Sequence, residues 1–389
     1  MLIGLAALDD TDWAKLHHAY GRATDTPGHL RALLRKNADA RDEALEHLQH
    51  AVLHQGTLYT ATGPAARVVA GLLADASIDR GKSIRTELLG FLVAVTQSLE
   101  HVDVSIEELE RMAAFDVEPF LETEEDYEDL SENDAAEKSF YARAALGCIS
   151  AAPVLMDVML QAMSDGAPIL RAYAGTGAVK LAKWEPLRHL RAHIESRLLS
   201  LARETTNTDE RSAHVLALGE LGYVPTDFMS DPSPAVRMCA ALAPRLAADE
   251  RAIKELFVVL EVHAGDIDGW FVERPPQFSM RPRFAVVQRL IQQVHDFERL
   301  ANAAIAVARV TRKFCVDADW GPLLAAALPK RNGIIETDAQ CRYLRALVEN
   351  ADLWDPRYGN ASFRFKELGL PYDRNACAKL VLQGPAEHI

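Results

Sequence analysis

Five cysteines in 389 residues, none in a Cys-x-x-Cys pair, leave no disulfide framework and no zinc-ribbon spacing. Cys148, Cys239, Cys315, Cys341 and Cys377 each have an apolar or small neighbour and read as buried thiols of a reducing compartment. No stretch approaches the roughly 18 consecutive apolar residues that would cross a bilayer. The opening run from Met1 to Leu8 lacks a basic flank and is too short for a signal-peptide core, so the expectation is a soluble, cytoplasmic protein. No segment alternates with a period of two, and no sheet is called for. A basic cluster is missing as well. Lys and Arg are spread singly in a chain of net charge -14, whereas nucleic-acid binding needs a clustered positive footprint.

What the chain has instead is one pattern that returns. Asp79 precedes Arg85, Asp165 precedes Arg171 and Asp231 precedes Arg237, always at the same spacing. From the residue before each Arg, small or apolar residues recur at helical intervals: Ile84, Leu88, Phe91; Leu170, Ala174, Gly177; Val236, Ala240, Ala243. Looser copies begin at Ala40-Arg41 and at Glu137 with Arg143, and a weak one has Thr208 and His214 in the Asp and Arg places. Self-similarity of this kind marks stacked helical hairpins that build surface rather than a closed pocket.

Turn signals divide the chain. Residues 1–36 read as one or two capping helices with Pro27 as a break, and 37–115 as the first repeats, with Pro64 suited to a first helical turn. Residues 116–138 form an acidic loop and 139–250 the regular repeats. The span 251–389 holds degenerate repeats and a cap, interrupted by the irregular Gly265–Gly269 and Pro275-Pro276 stretch. The segment Asp231-Pro232-Ser233-Pro234-Ala235-Val236-Arg237 and its Ala-rich continuation resembles HEAT repeats. The whole chain resembles bacterial, actinobacterial-type HEAT-repeat proteins of undefined function. The resemblance implies an all-α fold, a right-handed α-solenoid of HEAT-like hairpins with an irregular C-terminal cap, continuous over 1–389. It also implies that the repeated Asp and Arg form a ladder between neighbouring repeats, a structural role.

Constellations that could carry chemistry are thin. His47, His50 and His54 share a helical face, with Glu43 one turn before His47, but the Glu of a His-Glu-x-x-His zinc motif is replaced by Ala51. No His-Glu dipeptide of the HEAT-like lysine hydroxylases occurs. Gly175-Thr176-Gly177 imitates a dinucleotide loop but lies inside a helical pattern rather than after a strand. Asp266-Ile267-Asp268-Gly269 imitates a calcium loop whose first and last ligand places hold Ala264 and Pro275. The expectation is therefore no catalytic residue, no metal, no cofactor and no enzyme.

Binding clues remain. Glu124, Glu125 and Asp126 lie at the centre of the acidic loop, suited to steering a basic partner. Trp270 and Phe271, beside Arg274 in the Pro-rich insertion, and Tyr59 in the turn after His54 are candidate interface anchors. The leading expectation is a non-catalytic protein- or peptide-binding scaffold, with an immunity or inhibitor protein against a basic partner as its specific form. The alternative is a phycobilin-lyase-like HEAT protein acting on a small molecule or modifying a protein. A HEAT-like DNA glycosylase would need a basic groove that the charge argues against.

Overall fold

The computed structural model describes residues 1–74, 82–121 and 133–386. Asp79 and the acidic residues Glu124, Glu125 and Asp126 lie outside the described residues. Among those described, 18 α-helices account for most of the chain, and the fold is all-α. One small element departs from the sequence reading. His17–His18 pairs antiparallel with Gly21–Arg22, and the hairpin closes because Gly21 takes a φ of 111° that a side chain would resist.

The chain packs as two compact units, Met1–Leu201 and Ala202–Ile389. The first contains α1 (Gly4–Asp10), α2 (Thr26–Ala32), α3 (Ala38–His47), α4 (Thr62–Ala74), α5 (Lys82–Leu99), α6 (Ile106–Ala113), α7 (Asp134–Ala162) and α8 (Pro168–Leu181); the division falls inside α9 (Arg191–Glu204). The pair α4 and α5 stacks on the pair α7 and α8, while α1 and α6 pack on α4 and α7 respectively. The α4–α7 crossing is close because glycines meet there: a Cβ on Gly63 would lie 2.4 Å from the Gly147 carbonyl. Among the described residues α7 alone is long and apolar enough to cross a membrane, and it is packed against α4, α6 and α8.

The second unit contains α10 (Thr208–Leu221), α11 (Pro234–Ala241), α12 (Glu250–His263), α13 (Pro282–Gln293), α14 (Phe297–Val310), α15 (Trp320–Ala327), α16 (Asp338–Glu349), α17 (Gly359–Glu367) and α18 (Arg374–Gln383). Here α12, α14, α16 and α18 pack successively in one row, and α13, α15 and α17 in another. Contacts between like ends, Arg299 with Glu250 at 3.4 Å and Asn350 donating to the Ala308 carbonyl at 2.8 Å, show that α12, α14 and α16 run in the same direction. Their starts are written in the sequence. Asp249 and Asp296 cap α12 and α14 through side-chain oxygens, and Thr337 with Gln340 makes a reciprocal capping box for α16.

The recurring Asp and Arg make a bracket of three bonds. Asp165 accepts the Ala167 amide on one carboxylate oxygen at 2.9 Å and Arg85, from the preceding pair, on the other at 2.7 Å. Its backbone carbonyl accepts Arg171 at 2.7 Å. Asp231 repeats the set, with the Ser233 amide at 2.8 Å, Arg211 at 3.0 Å and Arg237 on its carbonyl at 2.9 Å. The weak copy belongs three residues earlier than the sequence pattern puts it. Thr205 accepts the Asn207 amide at 3.1 Å and Arg211 on its carbonyl at 2.5 Å, so Thr205 and Arg211 take the Asp and Arg places. His214 is instead fully buried and faces Glu210 at 3.2 Å.

Two stability outcomes follow. Gly63→Ala should cost about 1–3 kcal/mol, because its Cβ meets fixed backbone, whereas Gly147→Ala, whose Cβ meets nothing within 4 Å, should be neutral or stabilising; urea unfolding of both measures the contrast. Burial favours the protonated form of Asp165, but the Ala167 amide and Arg85 outweigh it and hold the carboxyl below the usual carboxylate range. A depressed native pKa gives stability that is present above the unfolded value near 4 and is lost as pH falls through the native value. Arg85→Ala should therefore lower stability by about 1 kcal/mol at pH 7 for this half-buried pair, and its difference from wild type should shrink on acidification below the ordinary Asp range.

Candidate functional site

In the second unit the exposed stripes of three helices line up. On α14 the residues Asn302, Ile305, Ala306 and Arg309 share one face, and on α16 Arg342, Arg345, Ala346 and Glu349 repeat the same offsets. Because the helices run in one direction, the stripes align across the row. Between them lies an open depression of about 560 Å³ bordered by Arg309, Arg342, Arg345, Glu261 and Glu349 over a floor of Ile305, Ala306 and Ala346. A second depression of about 520 Å³ continues along α12 past Lys254 and Phe257 and shares Glu261. The arginine heads are exposed. Among the described residues Arg342 reaches only Asn302, at 3.4 Å, and Arg309 and Arg345 make no ion pair. Weakly hydrated planar guanidinium groups above an apolar floor suit bidentate contact with carboxylates. Small residues at 306 and 346 keep the floor low.

A different cluster forms in the first unit, near the start of the chain. His18 comes from the hairpin, Asp25 immediately precedes α2, and His47 ends α3. His18 Nε2 lies 2.9 Å from Asp25 Oδ1 and His47 Nδ1 4.0 Å from Asp25 Oδ2. His47 Nε2 meets Thr26 Oγ1 at 2.9 Å. The His29 ring stacks on that of His47 with centroids 4.2 Å apart. Both His18 and His47 side chains are buried, while Asp25 is 52% exposed. Burial pushes His47 down to about 4, with His29 adding to it and Asp25 opposing; burial, Arg22 and His18 likewise push His17 down to about 4. Asp25 is held below the usual carboxylate range because hydrogen bonding from His18 and the charge of His47 outweigh its burial.

The expected His47, His50 and His54 face is not present. After His47 the helix widens into a π turn at Leu48–Val52 and tightens into a 3-10 turn at His54–Gly56. His50 is exposed and accepts His54 Nδ1 on its carbonyl at 2.9 Å. His47 turns inward alone. Its companions do not share helical spacing with it because they lie on a hairpin and a helix entry, although four histidines and Asp25 within the first 47 residues were the available signal.

The anchor residues fall differently from expectation. Tyr59 is buried against Val117, Leu121, Ala136 and Phe140, so its ring is core and offers no surface. The insertion folds back on α10, with the Glu273 amide on Asp209 at 2.8 Å and Gln277 on the Ala213 carbonyl at 2.9 Å. That fold buries Phe271 against Phe278. Trp270 is half-buried with its ring edge-on to His263, and Arg274 is exposed. Gly175, Thr176 and Gly177 lie buried within α8, not in a phosphate loop, and Lys180 pairs with Glu100 at 2.7 Å.

Comparison with protein-family models, with curated proteins and with solved structures finds no match to this chain.

All five cysteines are free and buried, and burial pushes the Cys148 thiol up to about 12 and that of Cys377 up to about 11. The native protein should therefore react with an aromatic disulfide reagent only at its unfolding rate, while denatured protein should yield all five thiols at once.

Proposed function

We propose that the chain is a non-catalytic protein- or peptide-binding scaffold of the HEAT-repeat type, built as a right-handed α-solenoid, and that α12, α14 and α16 carry its acceptor face. One observation supports this above the rest: Arg309 and Arg345 stand exposed and unpaired among the described residues over Ile305, Ala306 and Ala346. A ligand that suits it is an extended segment with carboxylates for the guanidinium groups and an apolar side chain for the floor. The two-row packing of the second unit and the repeated Asp–Arg bracket support the solenoid reading.

A second form of the proposal, an inhibitor or immunity protein that takes a basic partner, is favoured by the placement of charge. Residues through Leu201 hold 31 Asp and Glu against 19 Lys and Arg, while those from Ala202 hold 25 against 23. The acid-rich half, not the arginine face, would then meet the partner. Fluorescence anisotropy with two labelled peptides, one alternating Glu and Leu and one alternating Lys and Leu, separates the forms. The arginine-face reading expects the Glu peptide to bind with an affinity that falls with salt. It also expects Arg309→Glu with Arg345→Glu to weaken that binding at least tenfold, about 1.4 kcal/mol. Preference for the Lys peptide, unchanged by the reversals, would move the partner to the acid-rich half.

A further inference from the structure

We infer that His18, Asp25 and His47 form a binding site for a divalent transition metal of the zinc class. Their ligand atoms, two imidazole nitrogens and a carboxylate oxygen, lie within 4.8 Å of one another. A zinc ion with bonds of about 2.0–2.2 Å holds such atoms about 3.3 Å apart. The observed separations of 2.9 Å between His18 and Asp25 and 4.0 Å between His47 and Asp25 bracket that value. Those two distances run to different carboxylate oxygens and differ from it by about 0.4 Å and 0.7 Å, and no pair of ligand atoms is more than 4.8 Å apart, so forming the site needs side-chain movements on the order of an ångström. Two neutral imidazoles with one carboxylate is a donor set that suits zinc and its neighbours and leaves a fourth position open.

The surroundings orient the donors. Thr26 Oγ1 holds His47 Nε2 at 2.9 Å; with the ring proton there, the Nδ1 lone pair faces the centre, the outer-shell arrangement usual for a ligating histidine. The Thr26 hydroxyl also lies 3.5 Å from Asp25 Oδ1, so one buried group positions two ligands. His18 is set differently. Its Nδ1 accepts the Tyr20 amide at 3.1 Å, which places its proton on Nε2, toward Asp25. The metal takes the place of that proton, which moves to Nδ1, so binding also breaks the bond from the Tyr20 amide in the turn between the two strands. Both imidazoles are buried while half of Asp25 faces solvent, so the carboxylate side is the route of entry. The three ligands come from the hairpin, the entry of α2 and the end of α3. An ion would join three short segments of the chain's first turns, and the assignment stands independently of the arginine face.

The test uses the full chain stripped of metal with a chelator and titrated with Zn²⁺ alone by calorimetry, then with Co²⁺ by visible absorbance. One Zn²⁺ should bind per chain, and Co²⁺ should give the intense bands of a low-coordinate nitrogen and oxygen site. Asp25→Asn and His47→Gln should each weaken binding at least tenfold, and Thr26→Val, which keeps every ligand, about 10–100-fold. His50→Gln, at an exposed histidine, should leave it unchanged. Circular dichroism identifies any variant that fails to fold, and the Co²⁺ spectrum of the wild type then decides. Absence of stoichiometric Zn²⁺ binding, a weak spectrum like that of hydrated Co²⁺, or wild-type affinity in folded His47→Gln would overturn the site.

Discussion

The interaction on which most of the architecture depends is the three-bond bracket at Asp165 and Asp231. One carboxylate does two jobs at once: it ends a loop by accepting the amide two residues on, and it takes the arginine of the preceding helical pair. The arginine six residues on bonds the same residue's carbonyl and so closes the helix entry. Local geometry and stacking of neighbours are thereby tied to one side chain, which is why the pattern survives as a sequence repeat while the apolar residues around it drift. Thr205 shows what the bracket can lose. With a hydroxyl in place of a carboxylate, the amide and carbonyl bonds remain.

The same regularity organises the surface. Helices of one row that run in one direction present equivalent offsets side by side, so a stripe on one helix becomes part of a face across several. Asn302 and Arg309 on α14 border the same depression as Arg342 and Glu349 on α16 for that reason. The buried side of the second unit carries its polar cost differently. Arg283 and Asp319 form an ion pair that is almost wholly enclosed, with Thr311 and the Ala264 carbonyl completing the set. Burial still raises the Asp319 carboxyl above its ordinary range, despite Arg283. Such a pair adds little net stability, because the desolvation of both groups offsets their attraction.

Much of the helical framework was legible. Pro64 near the start of α4, Pro234 at the start of α11 and the helix through Ile84 and Leu99 follow from turn residues and apolar period, which act over a few residues. The dinucleotide imitation at Gly175 was readable as helix for the same reason. The candidate sites were not. Tyr59 and Phe271 look like exposed anchors in sequence because both lie in turns, and only distant segments, Phe140 for one and Phe278 for the other, decide that they are covered. His50 and His54 look like companions of His47 in sequence, since helical spacing assumes a helix that in fact widens at Leu48.

By itself, then, the sequence determined the helical class, the repeated bracket and the concentration of acid in the first half, because propensity, capping and charge are properties of neighbouring residues. Tertiary structure alone decided which arginines stand unpaired over an apolar floor, which rings are core, and that His18, Asp25 and His47 converge. Those are relations between residues tens of positions apart. They are set when helices pack, and no local period records them.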